Sequence, residues 1–79
     1  MARVSFVSDR GGDWMAMYID GQLVDETHML DAYRIITPLV GKHITTLEFF
    51  ESDFEEFGRG YETLDEYTDF DDDPTVAVG

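Results

Sequence analysis

The chain has 79 residues, 43% of them hydrophobic and 14% aromatic, with 18 acids against five bases and a formal net charge of −13. That size makes one small domain, with enough apolar content for a core and too many rings for a disordered chain. The charge excludes nucleic acid and anionic membranes as direct partners, because like charges repel.

There is no cysteine, so no disulfide helps the fold, which suits a reducing compartment. The first 20 residues hold Arg3, Asp9, Arg10, Asp13 and Asp20 with no apolar run. No stretch approaches the roughly 20 apolar residues of a membrane span. The expectation is a cytoplasmic chain without a signal peptide. The charge is uneven. Residues 1–47 carry six acids and four bases, net −2, and residues 48–79 carry 12 acids and one base, net −11.

Ala2–Val7 alternates, with Val4 and Phe6 on one side and Arg3, Ser5 and Val7 on the other, which predicts a half-buried strand. Ser8–Gly12 predicts a turn. Trp14–Ile19 is apolar on both faces and predicts a central strand. Asp20-Gly21 between apolar runs is a strong signal for a type I′ hairpin turn, so Gln22–Glu26 completes a three-stranded antiparallel meander. Met29, Leu30, Tyr33, Ile36 and Val40 then fall at helical spacing, with Thr27 as N-cap and Asp31 in the first turn. Pro38 should stop the regular helix near Ile36 and leave a looser turn to Gly41.

His43–Phe50 alternates again, with Ile44, Thr46, Glu48 and Phe50 on one face and Thr45, Leu47 and Phe49 on the other. A crossover into the same sheet makes this fourth strand parallel to its neighbour, in the order 3-2-1-4, with the helix covering one face. Pairing as an antiparallel edge is the alternative. Ser52–Glu55 and Thr63–Glu66 both have the spacing of a capping box, which predicts short helices over 53–57 and 63–67. Asp69 onward predicts a frayed acidic tail. The fold class is therefore α+β: a three-stranded antiparallel meander, one helix, a fourth strand and one or two short C-terminal helices, with residues 1–68 as a single domain and 69–79 as a flexible tail.

Chemistry is hard to place on this chain. Asp69, Asp71 and Asp73 begin like a calcium loop, but Pro74 stands where a glycine is required and the sequence stops before the twelfth position. His28 and His43 are the two histidines, and their spacing does not pair them at a metal. Two-carboxylate hydrolysis would need Glu48 to face inward with a partner acid at a defined separation, and a chain of this size has little room for a substrate cleft. Gly11-Gly12 and Gly58-Arg59-Gly60 lack the surroundings of a phosphate loop. The expectation is a non-enzymatic chain with no cofactor and no metal.

Between Glu48 and Asp73 lie 12 carboxylates, Arg59 and seven aromatics. Carboxylates at fixed spacing on a folded surface match a phosphate backbone in sign and density, so a basic, nucleic-acid-handling protein is the expected partner. Rings among the acids add contact energy that pure charge does not. The candidate partner-binding surface is Glu48, Glu51, Asp53, Glu55, Glu56, Glu62, Asp65, Glu66 and Asp69, with Tyr61, Tyr67 or Phe70 as anchors. The plainer reading packs Phe50, Phe54, Phe57 and Leu64 on the sheet and leaves the acids outside for solubility.

Trp14, Tyr18, Asp20-Gly21, Leu23-Val24, Glu26 and His28, followed by an acidic aromatic half, resemble small uncharacterised proteins of bacteriophages over residues 13–67. In size and acidity the chain is also similar to phage inhibitors of host defence, including anti-CRISPR and DNA-mimic proteins. That likeness implies an inhibitor acting in the host cytoplasm, and it carries no site residue over. Two other classes stay open: a small adaptor or assembly module, including a homodimer through a free strand edge, and a cation-dependent switch.

Overall fold

The computed structural model describes residues 2–11, 14–52, 54, 60–67, 71–72 and 76–77. Strands β1 (Ala2–Asp9), β2 (Met15–Ile19) and β3 (Gln22–Thr27) form an antiparallel meander. The turn between β2 and β3 has positive φ at both Asp20 (51°) and Gly21 (83°), as a type I′ turn requires. Helix α1 (Ala32–Ile36) leads through a 3₁₀ turn, Thr37–Leu39, to β4 (Ile44–Ser52). β4 lies parallel to β1, so the strand order is β3-β2-β1-β4. The molecule is a mixed α+β fold, a four-stranded sheet with one helix.

Three expectations change. Thr27 does not cap the helix, because it stays in β3 opposite Met15. Asp31 caps it instead, accepting the Arg34 backbone N–H on its side chain at 2.9 Å. Pro38 then sits inside the 3₁₀ turn, where its missing N–H costs nothing. Second, the pairing of β1 with β4 shifts register between Ala2 and Arg3. The extra residue turns Ile44 to the face of Leu47 and Phe49 rather than that of Glu48. Third, the expected frayed tail has paired backbone: β5 (Asp71–Asp72) lies opposite Phe50 and Glu51, and β6 (Val76–Ala77) opposite Thr46 and Leu47. Of the expected helix over 53–57, only Phe54 is among the described residues.

The sheet has two buried faces. On the first, Ala2, Val4, Phe6, Met17 and Ile19 form a cluster closed by Leu30, Ile35 and Leu39. On the second, Val7, Ala16 and Tyr18 meet Leu64 and Tyr67, with Leu23, Phe50, Phe54 and Tyr61 around them. Phe54 and residues 60–67, from the acidic second half of the chain, therefore cover the second face. The 60–67 segment also holds the edge of β3, where Leu23 N–H donates to the Glu62 carbonyl at 2.8 Å and Leu64 N–H to that of Gly21 at 2.8 Å. With β5 and β6 on β4, both outer strands are partnered along part of their length, which weakens the case for a dimer through a free edge.

Candidate functional site

The acidic cover is built on three tyrosines. Tyr18 is fully buried at the centre of the second face. Its single hydroxyl proton goes to the Tyr61 carbonyl at 2.6 Å. The Tyr67 hydroxyl, 2.6 Å away, must then donate to Tyr18, and it accepts from the Tyr61 backbone N–H at 3.3 Å. The circuit closes on itself, so every polar atom in it has a partner, as buried polar groups need. The rings pack edge to face, with centroids 4.8 Å apart for Tyr61 and Tyr67 and 5.9 Å for Tyr18 and Tyr67.

Gly60 sits against this circuit. A β-carbon there would lie 2.7 Å from the Tyr67 hydroxyl and 3.0 Å from both Ala16 Cβ and the Tyr18 hydroxyl. The Gly60 N–H donates to Glu26 Oε1 at 2.7 Å, the same oxygen that accepts from Trp14 Nε1 at 2.9 Å. Beyond Tyr61, a 3₁₀ turn spans Leu64–Glu66. Glu66 Oε2 accepts from the Thr63 backbone N–H at 2.9 Å and from its hydroxyl at 3.0 Å. Leu64 is buried, and Glu62, Asp65 and Glu66 are exposed. Asp65 and Glu66 thus stand on a capped turn, and Glu62 stands just before it where its carbonyl holds the β3 edge, beside a satisfied tyrosine circuit.

Burial, reinforced by the hydrogen bond to Tyr67, pushes the Tyr18 hydroxyl far above the ordinary phenol range. Burial raises Tyr67 as well. Both groups keep their protons to higher pH when folded than when unfolded. The stability they supply is fully present below the ordinary tyrosine value of about 10 and is lost as pH rises past it. The urea midpoint should therefore fall above about pH 10, with tyrosinate absorbance rising in the same step. A Tyr67→Phe chain should show a shallower fall.

Of the candidate partner-binding residues, Asp65 and Glu66 are exposed on the capped turn and Glu62 is exposed just before it. Glu51 is also exposed, but it follows Phe49 by two on β4 and so belongs to the opposite face of the sheet. Two residues are corrected. Glu48 is buried, its Oε1 accepting from Arg3 Nε at 2.5 Å and from the Ser5 hydroxyl at 2.6 Å. Tyr67 is buried in the circuit rather than offered as an anchor. Tyr61 is half-buried and leaves part of its ring at the surface. Asp53, Glu55, Glu56, Asp69 and Phe70 lie outside the described residues.

The first face holds a feature of the opposite character. Of the five residues at helical spacing, Leu30 is buried in the first cluster, whereas Met29, Tyr33, Ile36 and Val40 are 79%, 78%, 59% and 76% exposed. Ile35 and Leu39 turn inward in their place. Arg34 holds β3 instead, with Nε 2.8 Å from Asp25 Oδ2 and Nη2 2.5 Å from Asp25 Oδ1. That bidentate contact lowers the Asp25 carboxyl below its ordinary value, so it contributes stability above the carboxylate range and loses it as pH falls. Between helix and sheet remains an apolar cleft of about 380 Å³.

Glu26, Gly60 and Tyr18 escaped the sequence reading as residues that hold the site. The Asp-Gly hairpin was the available signal, since it places Tyr18 opposite Leu23 and sets the edge on which residues 62–64 close. Among the described residues, no group of three acids or histidines is placed to hold a metal ion, and no helix is long and apolar enough to cross a membrane. Comparison with family models, with curated proteins and with solved structures finds no match.

Proposed function

We propose that this chain is a non-enzymatic acidic binding protein of the phage-inhibitor type. It occupies the basic nucleic-acid-binding surface of a host defence or other nucleic-acid-handling protein. The observation that carries the reading is the exposure of Asp65 and Glu66 on a capped turn, and of Glu62 just before it, in a segment bonded to the edge of β3. Charges on a rigid support meet a partner's Lys and Arg groups without first being ordered, so less conformational entropy opposes binding. The net −11 of residues 48–79 extends the field well beyond these three groups and steers a cationic partner inward.

Capture of proteins from host lysate at low salt tests it. The bound protein should be basic, and added nucleic acid should displace this chain from it. A neutral or acidic bound protein would sink the proposal.

A second reading has its own support in the exposed Met29, Tyr33, Ile36 and Val40. An adaptor or assembly module would bind through such apolar residues and keep its acids for solubility. On that reading Asp65→Asn with Glu66→Gln leaves partner binding intact, and Tyr33→Ser with Ile36→Ser abolishes it.

A further inference from the structure

The first face of the sheet carries more apolar surface than its cover hides. Phe6, Ile44, Leu47 and Phe49 on the sheet side and Ile35 and Leu39 on the helix side line the open cleft. The described cover of this face is thin, a five-residue helix and a three-residue turn. Phe49 stacks on Phe6 with centroids 5.5 Å apart, yet stays 38% exposed. An apolar opening is unfavourable in water, and contiguous exposed apolar surface marks binding sites.

Length and charge decide what fits. From Ile44 to Phe49 the strand runs for about 16 Å at 3.3 Å per residue. That is the axial length of about three helical turns, the span over which an amphipathic helix presents apolar anchors at i, i+4, i+7 and i+11. A second copy of this chain would bring another 13 negative charges to the contact, and the repulsion opposes it. Exposed acids stand at two sides of the cleft: Glu51 beyond Phe49 on the same side of β4, and Asp31 at the start of α1. Arg34, the cation on the helix, is paired with Asp25. Lys42 lies before Ile44, at the opposite end of β4 from Glu51. At the Glu51 end the backbone N–H of Arg10 donates to the Ser52 carbonyl at 3.2 Å, and Asp9, Asp71 and Asp72 pair there with β4, so that end keeps an excess of acids.

We propose that this cleft receives the apolar face of an amphipathic, basic helix of a partner protein, with its cations toward Glu51 and Asp31. The inference rests on the function proposed above only for the sign of the partner's charge. The acids steer and the cleft supplies the contact energy.

The test uses the full chain and a fluorescein-labelled synthetic peptide of about five helical turns, with leucines at i, i+4, i+7 and i+11 among lysines and glutamines. A permuted peptide of the same composition has the same charge and no apolar face. Anisotropy at near-physiological salt should show the amphipathic peptide binding at least about tenfold more tightly, a difference of about 1.4 kcal/mol. Methyl resonances of Met15, Ile35, Leu39, Ile44 and Leu47 should shift during that titration. Phe49→Gln, at the partly exposed rim, should lose most of the preference while the fold is retained.

Equal binding of the two peptides would mean charge alone, and would overturn the proposal. So would a sedimentation result in which the free chain is a dimer closed over these methyl groups. Saturation of the same resonances by a detergent monomer, with the peptide leaving them unmoved, would assign the cleft to a small apolar molecule and also overturn it. The peptide titration needs neither lysate nor nucleic acid, so its failure and a failure of the nucleic-acid competition are separate results.

Discussion

Gly60→Ala should be among the most damaging single-atom additions in the described part of the chain. The new β-carbon meets the Tyr67 hydroxyl at 2.7 Å and Ala16 Cβ and the Tyr18 hydroxyl at 3.0 Å. Tyr18, Ala16 and Tyr67 are all buried, so none is the loose end of a flexible side chain. Relief requires the tyrosine circuit to open or the Gly60–Tyr67 segment to lift from the sheet. Overpacking costs about 1–3 kcal/mol, and a buried hydroxyl that loses its partner costs about 1–3 more. A total of about 3 kcal/mol or more would lower the melting temperature by roughly 12–24 °C in a domain of this size. Gly21→Ala is the control. Its φ of +83° carries a backbone penalty, but nothing lies within 4 Å of the added carbon, so the loss should stay near 1–2 kcal/mol. Thermal unfolding followed by near-ultraviolet circular dichroism, which reports the tyrosine environment, distinguishes the two. Equal melting temperatures would mean that residues 60–67 are not seated on Tyr18 as described.

The second large effect belongs to Glu48. Its carboxylate is buried beside Ser5, which is fully buried, and its cation Arg3 keeps half of its side chain in water. Arg3→Met keeps the aliphatic stem and strips the charge, leaving a buried carboxylate with one hydroxyl donor. Breaking a buried pair from one side costs about 3–5 kcal/mol. Because Arg3 is half exposed, a loss of about 1–3 kcal/mol is expected here. Replacing both residues, Arg3→Met with Glu48→Met, removes the uncompensated charge and should recover at least half of that loss. Urea unfolding of the two single variants and the double variant gives the coupling directly. Additive losses would mean that the pair contributes nothing beyond its separate side chains.

Much of the sheet could be read from local pattern, because its determinants are local. Alternation identified β1 and β4, and Asp20-Gly21 set the hairpin between β2 and β3. The parallel placement of β4 followed from the strand–helix–strand connection. What could not be read depends on contacts between distant residues. Residues 29–40 carry two sets of apolar residues, Met29-Leu30-Tyr33-Ile36-Val40 and Ile35-Leu39, and helical spacing favours the longer one. Thr27 remaining in β3 delays the helix to Ala32 and turns the shorter stripe inward. A one-residue register shift beside Ala2 moved Ile44 to the other face. Glu48 could be read both as an inward-facing acid and as part of the acidic surface, and local pattern could not decide because its partners, Arg3 and Ser5, are 45 and 43 residues away. Gly60 looked like a linker, since its requirement comes from Tyr67, Ala16 and Tyr18 rather than from its neighbours.

The acidic aromatic stretch has the same lesson in it. Its rings Phe50, Phe54, Tyr61 and Tyr67 belong to the second core cluster, and Glu62, Asp65 and Glu66 are held outside them. Residues 60–67 therefore do both jobs at once, covering the sheet with Tyr61, Leu64 and Tyr67 and leaving Glu62, Asp65 and Glu66 exposed on a fixed base. An unfolded tail of the same composition would supply the charge without the spacing.

Competition at the captured partner tests the proposed function most directly. With the partner bound at low salt, duplex DNA or RNA should displace this chain in proportion to its own affinity for the partner. The binding should weaken steeply with added salt, and Glu62→Gln with Asp65→Asn should reduce that salt dependence by about two counterions. Binding that is indifferent to saturating nucleic acid and to the loss of both carboxylates would contradict it.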